Sequence, residues 1–285
     1  MPSLCDLHTH THFSDGTYSP AELIDEAERV GLAAIALCDH NTVHGLADFL
    51  SAAKDSTVEA IPAVEFSTDY RMDDGKIREL HIVALFVRPA YYDDITAMVA
   101  PIAANKIKSN HALIAALQAH GCDITYDEVC AKGHGNINRA HVAGVLTEKG
   151  YTTSIQEAFA TLLAPERGLY VEPERLPVFE TIEYIRSIGA VPVLAHPFLK
   201  LNEAQLRAFL DKAKPYGLVG METLYSTYDE KTTALSRAIA HEYGLCESGG
   251  SDFHGERKPD IALGTGKGNL AIPYEFLERL KAFAG

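Results

Sequence analysis

Seven short apolar runs, at residues 4–7, 33–37, 58–64, 80–87, 191–195, 218–221 and 245–247, restrict this chain to an α/β architecture. Each is too short for a helix, and most lack polar alternation, the pattern of strands covered on both faces of a parallel sheet. Helical patterns separate them. Ser19-Pro20-Ala21-Glu22 reads as a capping box with proline at the first helical position, and Gly31 stops that helix. Asn202 is placed to cap a helix running to Lys214, and Gly189 and Gly244 end two others. Strands alternating with helices predict a parallel sheet, closed or nearly closed as a barrel.

One stretch breaks the rhythm. From about residue 91 to 168 no strand-like run occurs, and helical patterns cover 96–120, 126–131, 138–149 and 154–163. Gly121 and Gly150 are stop signals, and Ser154-Ile155-Gln156-Glu157 reads as another capping box. The expectation is a small all-helical insertion, 91–168, in a barrel formed by 1–90 and 169–285. An insertion that leaves a barrel after its strands commonly sits over the active face, so a lid or substrate-selecting role is expected.

A formal net charge of −14 argues against a protein that coats duplex nucleic acid, which needs a basic face. It leaves room for a small anionic substrate, because bound divalent cations invert the local potential. The five cysteines, Cys5, Cys38, Cys122, Cys130 and Cys246, show no CxxC spacing and are expected to be buried, reduced thiols. No signal peptide precedes Leu4, and no apolar stretch approaches the ~18 residues that span a membrane. A reducing cytoplasm is the expected compartment, with no membrane partner.

The histidines carry the chemistry. His8 and His10 follow the first run, on the same side of an extended chain, with Asp15 in the next loop. His40 ends Ile35-Ala36-Leu37-Cys38-Asp39, Glu65 ends Ile61-Pro62-Ala63-Val64, and His81 lies at the start of an apolar strand. His196 closes Val193-Leu194-Ala195, and Asp252 and His254 follow the last run. Strand ends of a parallel barrel converge on one face. Six histidines and three carboxylates gathered there would be intolerably crowded without cations between them, so a metal site is expected. His111, His120, His241 and His44 lie in or at helical stretches and read as surface or packing residues. Gly264-Thr265-Gly266-Lys267-Gly268 lacks the GxxxxGK[ST] spacing and reads as a turn.

These segments resemble the PHP (polymerase and histidinol phosphatase) family. Asp6-Leu7-His8-Thr9-His10-Thr11 with Ser14-Asp15-Gly16 is similar to its first motif, Asp39-His40-Asn41-Thr42 to the second and Glu65 to the acidic residue of the third. Ala195-His196-Pro197 and Gly250-Ser251-Asp252-Phe253-His254 resemble the later ones. The resemblance implies a distorted seven-stranded (β/α)7 barrel, in agreement with the seven runs. It also implies three divalent metals: one on His8, His10, Glu65 and Asp252, one on Glu65, His81 and His196, and one on Asp15, His40 and His254. Mn²⁺ is the leading candidate, with Fe²⁺ or Zn²⁺ as alternatives, since imidazole and carboxylate ligands are mixed. Glu65, His196 and Asp252 would be central to catalysis. The expected reaction is phosphate-ester hydrolysis by a hydroxide bridging two metals. His12 falls at a position that varies in the family pattern and is left out of the ligands. It remains a nominal proton donor to the leaving group, with Asp39, His134 and Asp252.

Within the insertion, Asn138-Arg139-Ala140-His141-Val142-Ala143 resembles the Arg-Pro-His segment of one subgroup, with alanine for proline. Ala158-Phe159 through Tyr170-Val171 resembles the segment that follows. That subgroup removes phosphate from 3′,5′-nucleotide bisphosphates or trims short RNA from the 5′ end. The resemblance therefore implies a nucleotide or short-RNA substrate. Arg139, with Gly135, Asn136 and His134, is the expected grip on a second phosphate, and Asn105, Lys106 and Lys108 are further candidates. The alternatives are histidinol-phosphate hydrolysis, a non-catalytic or proofreading module, and a binuclear amidohydrolase, for which the third cluster would be superfluous.

Overall fold

The computed structural model describes residues 3–132, 137 and 139–285. The chain forms two compact units, Met1–Met98 with Leu176–Gly285, and Val99–Arg175. The first unit holds the sheet: β1 (Cys5–Thr9), β2 (Ala34–Leu37), β3 (Glu59–Arg71), β4 (Ile77–Leu85), β5 (Leu176–Pro177), β6 (Val191–Leu194), β7 (Gly220–Tyr225) and β8 (Cys246–Gly250). Its order is β1-β2-β3-β4-β6-β7-β8, with β5 beside β3 at Thr68 and Asp69. β5 is missing from the sequence-predicted strands, because two residues ending in proline carry no periodicity.

The sheet nearly closes into a barrel. Between β8 and β1 the His10 amide donates to the Phe253 carbonyl, and the Asp252 amide to that of His8, both at 2.9 Å. Glycine is needed at this seam: a Cβ on Gly250 would lie 2.1 Å from that of His8. Asp6, fully buried, pins the seam by accepting from the Ser251 and Gly264 amides at 2.9 Å each. The segment around Gly264 is a turn, as expected, with Gly264 and Gly266 at positive φ.

One expectation is corrected. β4 runs antiparallel to both β3 and β6, not parallel. Only residues 72–76 join β3 to β4, with Gly75 at φ +80° and the Met72 amide donating to the Lys76 carbonyl at 2.8 Å. A parallel return needs a crossover of roughly a dozen residues or more, so five allow only a hairpin. The reversal puts the start of β4 beside the C-terminal ends of the parallel strands. That is where His81 must be to meet Glu65.

Helices α1 (Pro20–Arg29) and α2 (Leu46–Ala52) follow β1 and β2. α1 begins with the expected capping box, in which the Ser19 hydroxyl accepts from the Glu22 amide and the Glu22 carboxylate from that of Ser19. α3 (Tyr92–Ala119) carries Pro101 inside it and leads into the second unit. There, α4 (Tyr126–Cys130), α5 (Arg139–Glu148) and α6 (Ile155–Ala160) share an apolar core that includes Leu113, Leu117, Ile124, Val142, Leu146 and Leu163. The capping box expected at Ser154 is half made. Its hydroxyl accepts from the Glu157 amide, but the Glu157 carboxylate turns to the Thr153 amide at 2.6 Å.

α7 (Val178–Ser187), α8 (Glu203–Ala213), α9 (Glu230–Glu242) and α10 (Tyr274–Lys281) complete the first unit, α8 being capped by Asn202 as expected. The barrel interior is built from small and branched residues, among them Ala34, Ala36, Ile61, Ala63, Val83 and Val193, with Phe276, Leu277 and Leu280 of α10. The thiols of Cys5, Cys38 and Cys122 are buried as expected, whereas Cys130 is exposed and Cys246 half-buried. Among the described residues no helix is long and apolar enough to cross a membrane.

Candidate metal centre

The period-two alternation of each strand carries its interior face up into the site. Ala34, Ala36 and Cys38 lead to His40, Ile61 and Ala63 to Glu65, and Leu85 and Val83 back to His81. β1 needs a further device. Its pairing with β2 shifts register between Asp6 and Thr9, and bulges of this kind re-aim side chains next to active sites. Thr9 then spends its hydroxyl on the Ala36 carbonyl at 2.7 Å, while the rings of His8 and His10 lie 5.0 Å apart. His196 and Asp252 follow their strands in the left-handed region, at φ +28° and +58°, as does Asn41 after His40 at +50°. Such conformations cost about 1–3 kcal/mol each and persist where surrounding structure enforces them.

All nine residues expected at the site are brought together. They fall into four overlapping groups: His10, Asp15, His40 and His254; His8, His10 and Asp252; His8, Glu65 and His196; and His40, Glu65 and His81. Within each group the ligand atoms lie within 4.8 Å of one another. Glu65 is at the centre and fully buried. Its Oε1 faces His81 Nδ1 at 2.8 Å and His196 Nε2 at 3.0 Å. Its Oε2 faces His8 Nε2 at 3.2 Å, His10 Nε2 at 3.4 Å and His40 Nδ1 at 2.9 Å. Asp252 Oδ1 lies 3.3 Å from His10 Nε2, and Asp15 Oδ1 lies 3.2 Å from His254 Nε2. Asp15, His40 and His81 are partly exposed, at 25%, 21% and 15% of their side chains, and mark the open side.

The donor set fits divalent cations. Among the described residues, His8 Nε2, both ring nitrogens of His10, His40 Nδ1 and Glu65 Oε2 are buried without a hydrogen-bond partner. These atoms crowd together yet are not aimed along hydrogen bonds, an arrangement that is costly in a protein interior unless something else satisfies them. Ligands about 2.1 Å from a shared ion stand roughly 3.0–3.4 Å from each other, the range of most of these separations.

Electrostatics agree. Burial resists the charge on Glu65, yet His40, His8 and His81 hold its carboxyl well below the usual range. Asp252 is likewise held well below, against burial, by His10, His8 and His254. His10 moves the other way: burial, with His254 and His40 beside it, lowers it to about 3, so it stays neutral with one ring nitrogen's lone pair free for a cation. His81 differs: burial opposes its charge, but Glu65 and Glu79 raise it to about 10, so a cation would have to displace its proton to be held there.

The surrounding shell contains groups the sequence reading did not assign. Glu222 accepts from the His196 amide at 2.7 Å and lies 2.8 Å from His8 Nδ1. Tyr225 and Lys258 donate to Asp252 Oδ2 at 2.7 and 2.6 Å, which leaves Oδ1 for the cluster. Asp39 accepts from the Thr11 amide and from the hydroxyls of Thr11 and Ser14, at 2.8, 2.5 and 2.6 Å, shaping the loop that carries Asp15. Asp39 thus serves as an anchor, and Asp252 is charged. His12 is exposed and stacks on Phe13, their rings 4.6 Å apart. A glutamate one residue beyond the apolar run 218–221 was the available signal for Glu222; nothing in the sequence marked Lys258.

In the second unit the Arg139 guanidinium lies 4.5 Å from the Tyr170 ring centroid and 3.6 Å from the Glu172 carboxylate. Asn105 donates to the Glu174 carbonyl at 3.3 Å. Lys106 lines a cavity of about 210 Å³ with Ile107, Asn110, Tyr126 and Ile137. His134, Gly135 and Asn136 lie outside the described residues.

Comparison with known proteins gives the following. A family model described as the PHP domain matches residues 6–175, more than half of the chain. A 5′-3′ exoribonuclease of Haemophilus influenzae is 31% identical over 89% of this chain and 91% of its own length. A 3′,5′-nucleoside bisphosphate phosphatase of Chromobacterium violaceum is 27% identical over 90% of each. Among solved structures, a candidate metal-dependent phosphoesterase from Bifidobacterium adolescentis superposes with a TM-score of 0.78 at 25% identity, covering 100% of this chain and 98% of that one.

Proposed function

Because the chain belongs to the PHP family and is a metal-dependent phosphoesterase, we propose that it removes the 3′-phosphate from 3′,5′-nucleotide bisphosphates. The observation that carries the metal-dependent reading is the two-sided placement of Glu65, with Oε1 toward His81 and His196 and Oε2 toward His40, His8 and His10. On this reading His8, His10, Glu65 and Asp252 would hold one cation, Glu65, His81 and His196 a second, and Asp15, His40 and His254 a third. Manganese suits the mixed donors. Divalent cations bound there would supply an acidified water and offset charge on the phosphoryl group.

The chain's own residues do the rest. Tyr225 and Lys258 occupy Asp252 Oδ2 and so orient Oδ1 toward His10. Burial, and then Asp252, keep the Tyr225 hydroxyl protonated and therefore a donor. Asp39 fixes the loop that presents Asp15. Arg139 takes the second phosphate, its planar fork already set by Tyr170 and Glu172. The names of the two relatives, a bisphosphate phosphatase and a 5′-3′ exoribonuclease, support a nucleotide as the ester.

A phosphate-release screen with Mn²⁺ tests this. It compares 3′,5′-bisphosphates, 2′,3′-cyclic nucleotides, short 5′-phosphorylated RNA and histidinol phosphate. The 3′,5′-bisphosphates should give the highest kcat/KM. Preference for histidinol phosphate would overturn the substrate and leave the hydrolytic chemistry standing.

A further inference from the structure

Glu222 is buried beside the cluster, 1% exposed, and belongs to none of the four candidate ligand groups. Each of its oxygens meets one donor: Oε1 lies 2.8 Å from His8 Nδ1, and Oε2 accepts the His196 amide at 2.7 Å. A carboxylate only accepts, so His8 carries a proton on Nδ1, which leaves Nε2 as the atom that would meet a cation in the cluster. That Nε2 is the one without a hydrogen-bond partner, 3.2 Å from Glu65 Oε2. At His196 the same side chain holds a backbone at φ +28°, which aims the ring so that Nε2 lies 3.0 Å from Glu65 Oε1. The sheet is irregular at both ends of this link. Register shifts between Asp6 and Thr9 on β1, where His8 lies, and between Glu222 and Leu224 on β7. Both strands depart from regular pairing where the carboxylate and imidazole meet.

We infer that Glu222 is a positioning residue that ties the His8 half of the centre to the His196 half. One carboxylate sets the tautomer of a ligand in the first half and the backbone of a ligand in the second. The inference rests on the metal-dependent reading above. Glu222 touches no reacting atom. Its effect runs through the imidazoles on either side of Glu65.

Glu222→Gln is the discriminating variant. The amide keeps the volume but offers one accepting oxygen in place of two, so either His8 or the His196 amide loses its acceptor. Titration of Mn²⁺ into chelator-treated protein, without substrate, should show binding at the His8 and His196 sites weakened about 10- to 100-fold. The ion at Asp15, His40 and His254 should bind as in the wild type. Far-UV circular dichroism of the metal-free proteins should coincide. Wild-type affinity in Glu222→Gln would overturn this inference alone, whereas no binding by the wild-type chain would overturn the metal reading and this inference with it. A second measurement needs no variant. Imidazole ¹⁵N spectra of the Zn²⁺-loaded wild type should show His8 protonated on Nδ1, and an unprotonated Nδ1 would contradict the assignment.

Discussion

The two units of this chain bury different things. In the barrel unit Asp6, His8, His10, Asp39, Glu65, His196, Glu222, Asp252 and His254 are all buried. In the helical unit the buried polar residues, among those described, are Ser109, Asn110 and Thr152, all small and neutral. Burying ionisable groups is expensive unless they are paired or bind a cation. The helical unit avoids that cost and has an ordinary apolar core. The barrel unit accepts it at one face, together with left-handed backbone at His196 and Asp252. Stability and chemistry are thus separable along the chain, and substitutions should sort accordingly.

The sharpest break would come at the ligands. Asp252→Asn and His196→Ala should each lower kcat on the order of 10³-fold, as when charge stabilisation at a transition state is removed, with circular dichroism unchanged. Near-normal rates in either would remove the contrast between the barrel face and the rest.

Metal removal should divide the molecule. At ion concentrations 100 times Kd each site adds about 2.7 kcal/mol. Chelation should therefore reduce hydrogen-exchange protection in β1, β3, β6 and β8 and spare α4, α5 and α6. Equal losses in both units would show that they do not differ in this way.

Arg139→Ala should act on substrate binding and not on metal. Losing a charge-assisted grip of about 1.5–3 kcal/mol raises KM for a 3′,5′-bisphosphate roughly 10- to 100-fold, with metal content unchanged. An unchanged KM would leave the helical unit without its proposed part in substrate selection.

The smallest effects belong to the caps. Ser19→Ala in the barrel unit and Thr125→Ala in the helical unit each remove a hydroxyl that accepts a helix-terminal amide. Each should cost about 1 kcal/mol of stability in denaturant titration. Neither should alter bound metal, and a loss of metal in Thr125→Ala would contradict the division.

Much of the barrel was legible because its strands are short, apolar and separated by well-marked helices. The convergence of His40 and Glu65 followed from the ends of their apolar runs, whereas His81 joins them only because β4 is reversed; each continues an interior face by simple alternation. The direction of β4 was not legible from the apolar run. It is set by the five-residue connection at Gly75, which the apolar runs hid: they end at 64 and restart at 80, while the strands themselves continue through polar residues to Arg71 and from Ile77. Glu222 escaped because a single glutamate at the end of an apolar run has no periodic signature, and its two partners are 214 and 26 residues away in sequence. Tyr225 reaches Asp252 across 27 residues and Lys258 across only six, yet in neither case does a local pattern record which carboxylate the donor will find.

The central claim is that the strand ends form a polynuclear centre on Glu65. Elemental analysis of the purified chain after reconstitution with Mn²⁺ tests it most directly. Three ions per chain are predicted, and fewer than two would contradict the account.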